Sequence, residues 1–243
     1  VARLFEKVKF ERANREYVTF TGTYRGLPIS VMATGIGCDN TEIAVIEILQ
    51  LVRRPTLIRI GSSGGIGKGI KLGDLVISEG AVRLENTSTF FAPEGYPAVA
   101  SFEVVLALVE AAESLGVEYH LGLTATAPGF YGAQGRTVPG LPAPRFPGLA
   151  KELERINVAN LEMETSALLT LASLAGVRAG AICAVYAERR HNRFITSDVK
   201  DKAEMKCVLC GLGALEVLAR MDRAKSAARS RWWRPSLQIP PAT

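Results

Sequence analysis

Apolar positions along the chain fall into short runs that read as strands and longer runs at helical spacing, and the two kinds alternate. Residues 17–22 and 29–34 flank Arg25-Gly26-Leu27 as a hairpin, and residues 41–52 read as a helix capped by Asp39 or Asn40. Residues 56–60 form a short buried strand that enters a glycine-rich turn, and a further strand covers 75–78. A helix over 102–115, a strand over 121–125, and helices over 149–156 and 163–175 come next. Residues 177–185 are apolar and β-competent. Residues 200–221 close as a helix in which Val208, Leu212, Leu215 and Leu218 recur every three or four positions. This alternation predicts an α/β fold in one domain over residues 1–221.

Of the 243 residues 48% are apolar and 22% charged, which excludes a disordered chain. No apolar run approaches the roughly 20 residues of a membrane span, and Val1-Ala2-Arg3-Leu4-Phe5-Glu6 lacks signal-peptide features, so a soluble, cytoplasmic protein is expected. Cys38, Cys183, Cys207 and Cys210 are too scattered for a disulfide framework, and Cys207 and Cys210 read as ordinary helix residues. The net charge of +5 is concentrated in residues 222–243, where Arg223, Lys225, Arg229, Arg231 and Arg234 face only Asp222. The remaining body is nearly neutral, so neither nucleic acid nor membrane is expected as a partner. That tail also holds Trp232, Trp233, Pro235, Pro240 and Pro241. It reads as a loosely ordered extension, with the paired tryptophans leaving a docking role open.

The most unusual local sequence is Arg59-Ile60-Gly61-Ser62-Ser63-Gly64-Gly65-Ile66-Gly67-Lys68-Gly69, where small residues would let backbone N–H groups approach an anion. A P-loop fails because Ser62 stands where its first glycine belongs and Gly69 follows Lys68. A dinucleotide fingerprint fails at Ile70, and no helix follows. Gly61-Ser62-Ser63-Gly64-Gly65 matches the form of a nucleophile elbow around Ser63 but lacks the helix that motif requires. Arg59, at the end of an apolar strand, calls for an anion or an acid as partner.

Four motifs stand in one order: Thr34-Gly35-Ile36-Gly37, Arg59-Ile60-Gly61-Ser62-Ser63-Gly64, Phe130-Tyr131-Gly132-Ala133-Gln134-Gly135-Arg136, and Asn160-Leu161-Glu162-Met163-Glu164. Together they resemble the uridine phosphorylases of the nucleoside phosphorylase-I family, over residues 1–221. The resemblance implies a three-layer α/β/α fold around a mixed, partly barrel-like sheet, assembled as a homodimer or a trimer of dimers. It also implies reversible phosphorolysis of uridine to uracil and ribose 1-phosphate. Phosphate is then a co-substrate that attacks the anomeric carbon from the face opposite the base, and no cofactor is required.

By this resemblance Arg59, Gly61 and Ser62 hold phosphate, joined by Arg15 from a neighbouring subunit. Glu164 binds the ribose 2′-hydroxyl and favours the positive charge that develops on the sugar. Met163 packs on the ribose face beside Glu162. Gln134 and Arg136 read the uracil ring, with Arg136 stabilising the departing base and Phe130 stacking near it. Arg59, Glu164 and Arg136 are the catalytic set. Glu16, Ile36 and Asn40 match the region where relatives hold a cation between subunits, so a structural cation there is a further expectation.

Each residue also has a plainer reading: Glu164 as a carboxylate stabilising a helix start, Gln134 and Arg136 as a polar loop, Phe130 as core. The charged run Glu188-Arg189-Arg190-His191-Asn192-Arg193 reads as solvated surface, and His120 as a structural histidine. The run carries no Ser-Asp pair of the kind purine-specific relatives use, which disfavours a purine substrate. Family members also carry a Gly-Asp-Pro-x-Arg phosphate loop upstream of the stretch matching Val1, so part of the phosphate site is expected outside these residues. A nucleoside hydrolase of the same fold, a non-catalytic nucleoside-binding protein and, more distantly, a serine hydrolase using Ser63 are the alternatives.

Overall fold

The computed structural model describes residues 1–238, and its strands divide between two sheets. Strands β1 (Lys7–Asn14), β2 (Tyr17–Tyr24) and β3 (Leu27–Ala33) form a three-stranded antiparallel sheet. Strand β1 is exposed along its whole length, so no hydrophobic alternation announces it, and its pairing with β2 makes it a strand. Helix α1 (Cys38–Leu51) leads into β4 (Thr56–Gly65) and β5 (Leu75–Arg83). Then come β6 (Ala98–Val99), α2 (Phe102–Leu115), β7 (Tyr119–Thr126), α3 (Leu149–Arg155), β8 (Val158–Glu162), α4 (Thr165–Leu174), β9 (Arg178–Glu188), β10 (Arg193–Phe194) and α5 (Ser197–Ala227).

The larger sheet has seven strands in the order β10-β9-β4-β8-β7-β5-β6 and is mixed. β4 runs parallel to β9, and β7 parallel to both β5 and β8, whereas β8 pairs antiparallel with β4. An additional antiparallel pairing of β9 with β5 curls the sheet toward closure. Alternation along β4 and β9 separates two apolar faces. Ile58, Ile60, Ile182 and Ala184 pack with residues of α2 and α5, while Leu57 and Ala179 pack with residues of α1 and α4. The result is the three-layer α/β/α arrangement with a mixed central sheet. Among the described residues, no helix is long and apolar enough to cross a membrane.

Several boundaries differ from the sequence reading. Strand β4 does not end in a glycine-rich turn at residue 60 but continues to Gly65, because β9 pairs along it and β8 pairs with Gly64 and Gly65. Helix α1 begins at Cys38, with Gly37 at its cap position and no side-chain cap, so neither Asp39 nor Asn40 caps it. The Asp39 carboxylate instead accepts from the Thr87 hydroxyl. Helix α4 begins at Thr165, two residues later than expected, because residues up to Glu162 belong to β8, a fully buried five-residue strand missed in the sequence.

Helix α5 continues past Met221 to Ala227, and the residues after it dock on α2. Buried Glu103 accepts from the Trp233 backbone N–H at 2.9 Å, from Lys225 Nζ at 2.7 Å and from Arg178 at 3.0 Å, and the Phe102 and Trp232 rings lie 5.9 Å apart. Pro240 and Pro241 lie outside the described residues. Burial would raise the Glu103 pKa, but Lys225, the Trp233 N–H and Arg178 outweigh it and hold the carboxyl below its ordinary value. A carboxylate depressed in the folded state stabilises above its unfolded pKa, and that stability is lost as pH falls through the folded one. Glu103→Gln should therefore cost about 3 kcal/mol near neutrality in urea denaturation, with the gap to the parent closing below the ordinary carboxylate range.

Candidate active site

Strand β8 ends at Glu162 and α4 begins at Thr165, and the sequence segment Glu162-Met163-Glu164 crosses that junction beside β4. The Glu162 side chain is fully buried and accepts from the backbone N–H groups of Glu164 and Thr165, each at 2.9 Å, and from the Thr126 hydroxyl. Glu162 thus satisfies the first free N–H donors of α4. Glu164 occupies the cap position itself, but its carboxylate points away from the helix. One oxygen accepts from the Gly37 N–H at 2.6 Å, and the other accepts from Arg59 Nη2.

Arg59 leaves β4 and lies across Gly61, where a Cβ would collide with its guanidinium. Nη2 meets Glu164 and, at 3.2 Å, Glu162, while Nη1 donates to Cys183 Sγ at 2.8 Å. Burial would lower the Arg59 pKa, but Cys183 and the two carboxylates hold it well above the ordinary arginine value. Burial also pushes the Cys183 thiol up to about 12, so near neutrality it is uncharged and the carboxylates supply the hold. Two carboxylates against one guanidinium leave this end of the site without net positive charge. Any anion approaching Arg59 would therefore have to displace Glu164 or meet further cations.

The second half of the site lies around Gln134, which is buried in the short turn Gly132–Gln134. Arg136 stacks over Phe130 at 4.5 Å and Tyr131 at 5.0 Å, with Phe194 of β10 at 5.8 Å. Arg189 joins them: Nη2 donates to Gln134 Oε1 at 2.8 Å, and its guanidinium lies 5.1 Å from the Phe130 ring. The sequence reading placed Arg189 on a solvated surface. Its backbone N–H is held by the Gly65 carbonyl, and its side chain folds in over Gly64, where a Cβ would collide with Nε. The glycines at 61 and 64 therefore make room for two arginine side chains. Glycine beside a strand end, with an arginine one residue past the neighbouring strand, is the signal that could have found Arg189.

Burial, followed by the Arg136 charge, lowers the Arg189 pKa to about 10. Arg136 Nη1 and Arg189 Nε are buried and make no hydrogen bond among the described residues, nor does Ser63 Oγ on β4. Buried polar groups rarely go unpaired, and two guanidiniums brought together without an acid suit an electron-rich, planar guest.

Other candidates fall elsewhere. Ser62 is exposed, and Met163 is half-buried, its carbonyl accepting from Cys38 Sγ at 3.2 Å. Arg15 is exposed in the β1–β2 turn with φ 54, and among the described residues no hydrogen bond or ion pair joins it to Arg59. Asn40 and Glu16 flank Gly35, where φ is 75 and a Cβ would stand 2.7 Å from Asn40 Nδ2 and 3.1 Å from Glu16 Cγ. Ile36 is 74% exposed beside them. Glu16 offers one carboxylate here, short of the six to eight oxygens a calcium-like ion takes. Among the described residues no group of three or more His, Cys, Asp or Glu could hold a metal. His120 is paired with Asp74 at 2.8 Å and His191 with Glu188 at 2.5 Å, and Cys207 and Cys210 are buried in α5.

Residues 1–213 match the profile of the Phosphorylase superfamily. The chain belongs to that superfamily. Within it, the chain is 45% identical to a uridine phosphorylase of Thermococcus kodakarensis, over 98% of this chain and 84% of that protein. It is 38% identical to the uridine phosphorylase of Escherichia coli, over 86% and 83% of the two chains. A guanosine phosphorylase of Halorubrum lacusprofundi is 32% identical over 76% of this chain and 71% of its own.

Proposed function

We propose that this superfamily member catalyses the reversible phosphorolysis of uridine to uracil and ribose 1-phosphate. The observation that carries the reading is the pairing of two differently charged half-sites on one strand. Arg59 and Glu164 meet over Gly61, and Arg136 and Arg189 gather around Gln134 over Gly64. The similarity to uridine phosphorylases along nearly the whole chain supports the same reading, and it does not favour a hydrolase or a non-catalytic binding protein.

In this reading the C1′–N1 bond breaks as a phosphate oxygen bonds C1′ from the opposite face. Glu164, freed from Arg59 by phosphate, takes the ribose 2′-hydroxyl and stabilises the cationic sugar, with Met163 beneath it and Glu162 supporting that segment from the buried start of α4. Negative charge gathers on the uracil carbonyl oxygens, and Arg136 and Arg189 receive it while the Gln134 amide pairs with the ring edge and Phe130 flanks it. Arg59, Gly61 and Ser62 hold the phosphate dianion, and Arg15 of a second copy supplies the further positive charge that the site lacks. Ile36 and Phe90, on segments joined by the Asp39–Thr87 contact, are 74% and 81% exposed, apolar surface suited to a homodimer. Two copies together would double the oxygen donors at Glu16, Ile36 and Asn40 available to a structural cation. The four free, buried cysteines suit a cytoplasmic setting.

The test is absorbance on adding uridine with and without phosphate. Uracil formed only with phosphate is the expected result. Release in both buffers would make the protein a hydrolase, and binding without release a nucleoside-binding protein. Arg189→Ala should raise the KM for uridine about tenfold and leave the KM for phosphate within about twofold, because it removes one charged hydrogen-bond donor from the base end alone.

A further inference from the structure

Arg59 has two ends, and they are held differently. Nη2 is committed to Glu162 and Glu164, whereas Nη1 rests on Cys183 Sγ at 2.8 Å. Cys183 stands opposite Gly61 in the parallel β4–β9 register and is fully buried. Gly61 forms the floor beneath the guanidinium and Cys183 the wall beside it.

We propose that Cys183 is a positioning residue for the phosphate step, its sulfur setting how far the Arg59 guanidinium swings toward Glu164. This rests on the reading of Arg59 as the phosphate-facing arginine. Sulfur is larger than oxygen, yet it lies at a distance that suits an N–H···O bond, so the thiol acts as a tight stop as well as an acceptor. As a neutral acceptor it orients Nη1 without cancelling the charge that an incoming dianion must find. A carboxylate at 183 would cancel that charge, and an apolar side chain would leave Nη1 unheld. With Nη1 unheld, the guanidinium is free to turn both ends onto Glu164 as a bidentate pair, the geometry arginine and carboxylate prefer. Phosphate would then have to break two bonds in place of one.

Steady-state kinetics on Cys183→Ala and Cys183→Ser tests this. Cys183→Ala should raise the KM for phosphate about tenfold, with kcat at saturating phosphate and the KM for uridine within about twofold of the parent. Cys183→Ser, which returns an acceptor of ordinary N–H···O reach, should bring the phosphate KM back to within about twofold. Should Cys183→Ala fail to fold, Cys183→Val fills the same space without an acceptor and should show the same rise. An unchanged phosphate KM in the acceptor-free variant overturns the proposal. So does an equal fall in all parameters that serine does not rescue, since that pattern belongs to packing. Parent protein that releases no uracil in phosphate would sink the functional reading itself, a separate outcome from parent activity with an indifferent Cys183.

Discussion

Arg59→Met should lower kcat/KM for phosphorolysis by about 1,000-fold or more and also destabilise the fold by about 3 kcal/mol. Both effects follow from the same geometry. Arg59 is the cation between Glu162 and Glu164, so its removal leaves two nearly buried carboxylates facing each other without a counter-charge. In the proposed reaction it is also the group that phosphate would take over as Glu164 turns to the sugar, so the loss would fall on the chemical step as well as on binding. Methionine keeps the unbranched stem of the side chain but not the guanidinium over Gly61, so a small loss of packing adds to the loss of charge and hydrogen bonding. Uracil release followed at saturating uridine, with urea denaturation of the same samples, separates the two losses. A variant that kept parental kcat/KM would remove Arg59 from the phosphate site.

The second large effect distinguishes the two neighbouring glutamates. Glu162→Ala should cost about 3–5 kcal/mol of stability, because it strips α4 of its N-terminal acceptor, removes the acceptor of the Thr126 hydroxyl proton and removes a buried partner of Arg59. Glu164→Ala should cost less stability, since Arg59 retains Glu162, but it should lower kcat by about 100-fold or more. Urea midpoints and single-turnover rates on the pair decide it. If Glu162→Ala were as stable as the parent and Glu164→Ala as active, their roles would be exchanged. The resemblance placed both residues at the ribose. The structure divides them, one carboxylate turned into the helix end and one turned out toward Gly37 and Arg59.

The base end shows the limit of local motifs. Gln134 and Arg136 lie in one recognisable string, and the structure sets Arg136 over Phe130 and Gln134 against Arg189. Arg189 belongs to the same cluster but sits among Glu188, Arg190, His191 and Arg193, where a charged run has every mark of solvated surface. Nothing local distinguishes it from Arg190, which is exposed and pairs with Glu154 at 3.3 Å. The distinction comes from register: β9 runs parallel to β4 through Glu188, so Arg189 emerges above Gly64, where a missing side chain admits it.

Elements with a strong hydrophobic period were legible one by one. Helix α2 runs from Phe102 to Leu115 as its spacing predicts, and β7 and β9 lie where their apolar runs place them, because burying one face forces a period on the residues. Strand β1, with no buried face, and β8, buried on all sides, show no such period. The order of motifs pointed to the fold class and the superfamily, and it singled out Arg59, Glu164, Gln134 and Arg136 as candidates. Only the tertiary structure decided that the glycines of β4 are seats for arginine side chains, that Glu162 holds the start of α4 while Glu164 turns to Gly37 and Arg59, and that Cys183 meets Arg59 and Arg189 meets Gln134. The contacts of Arg59 with Glu164 and Cys183, and of Glu164 with Gly37, join residues more than a hundred positions apart, and the others depend on a register set by the whole sheet and on burial and counter-charge that no local stretch of sequence contains.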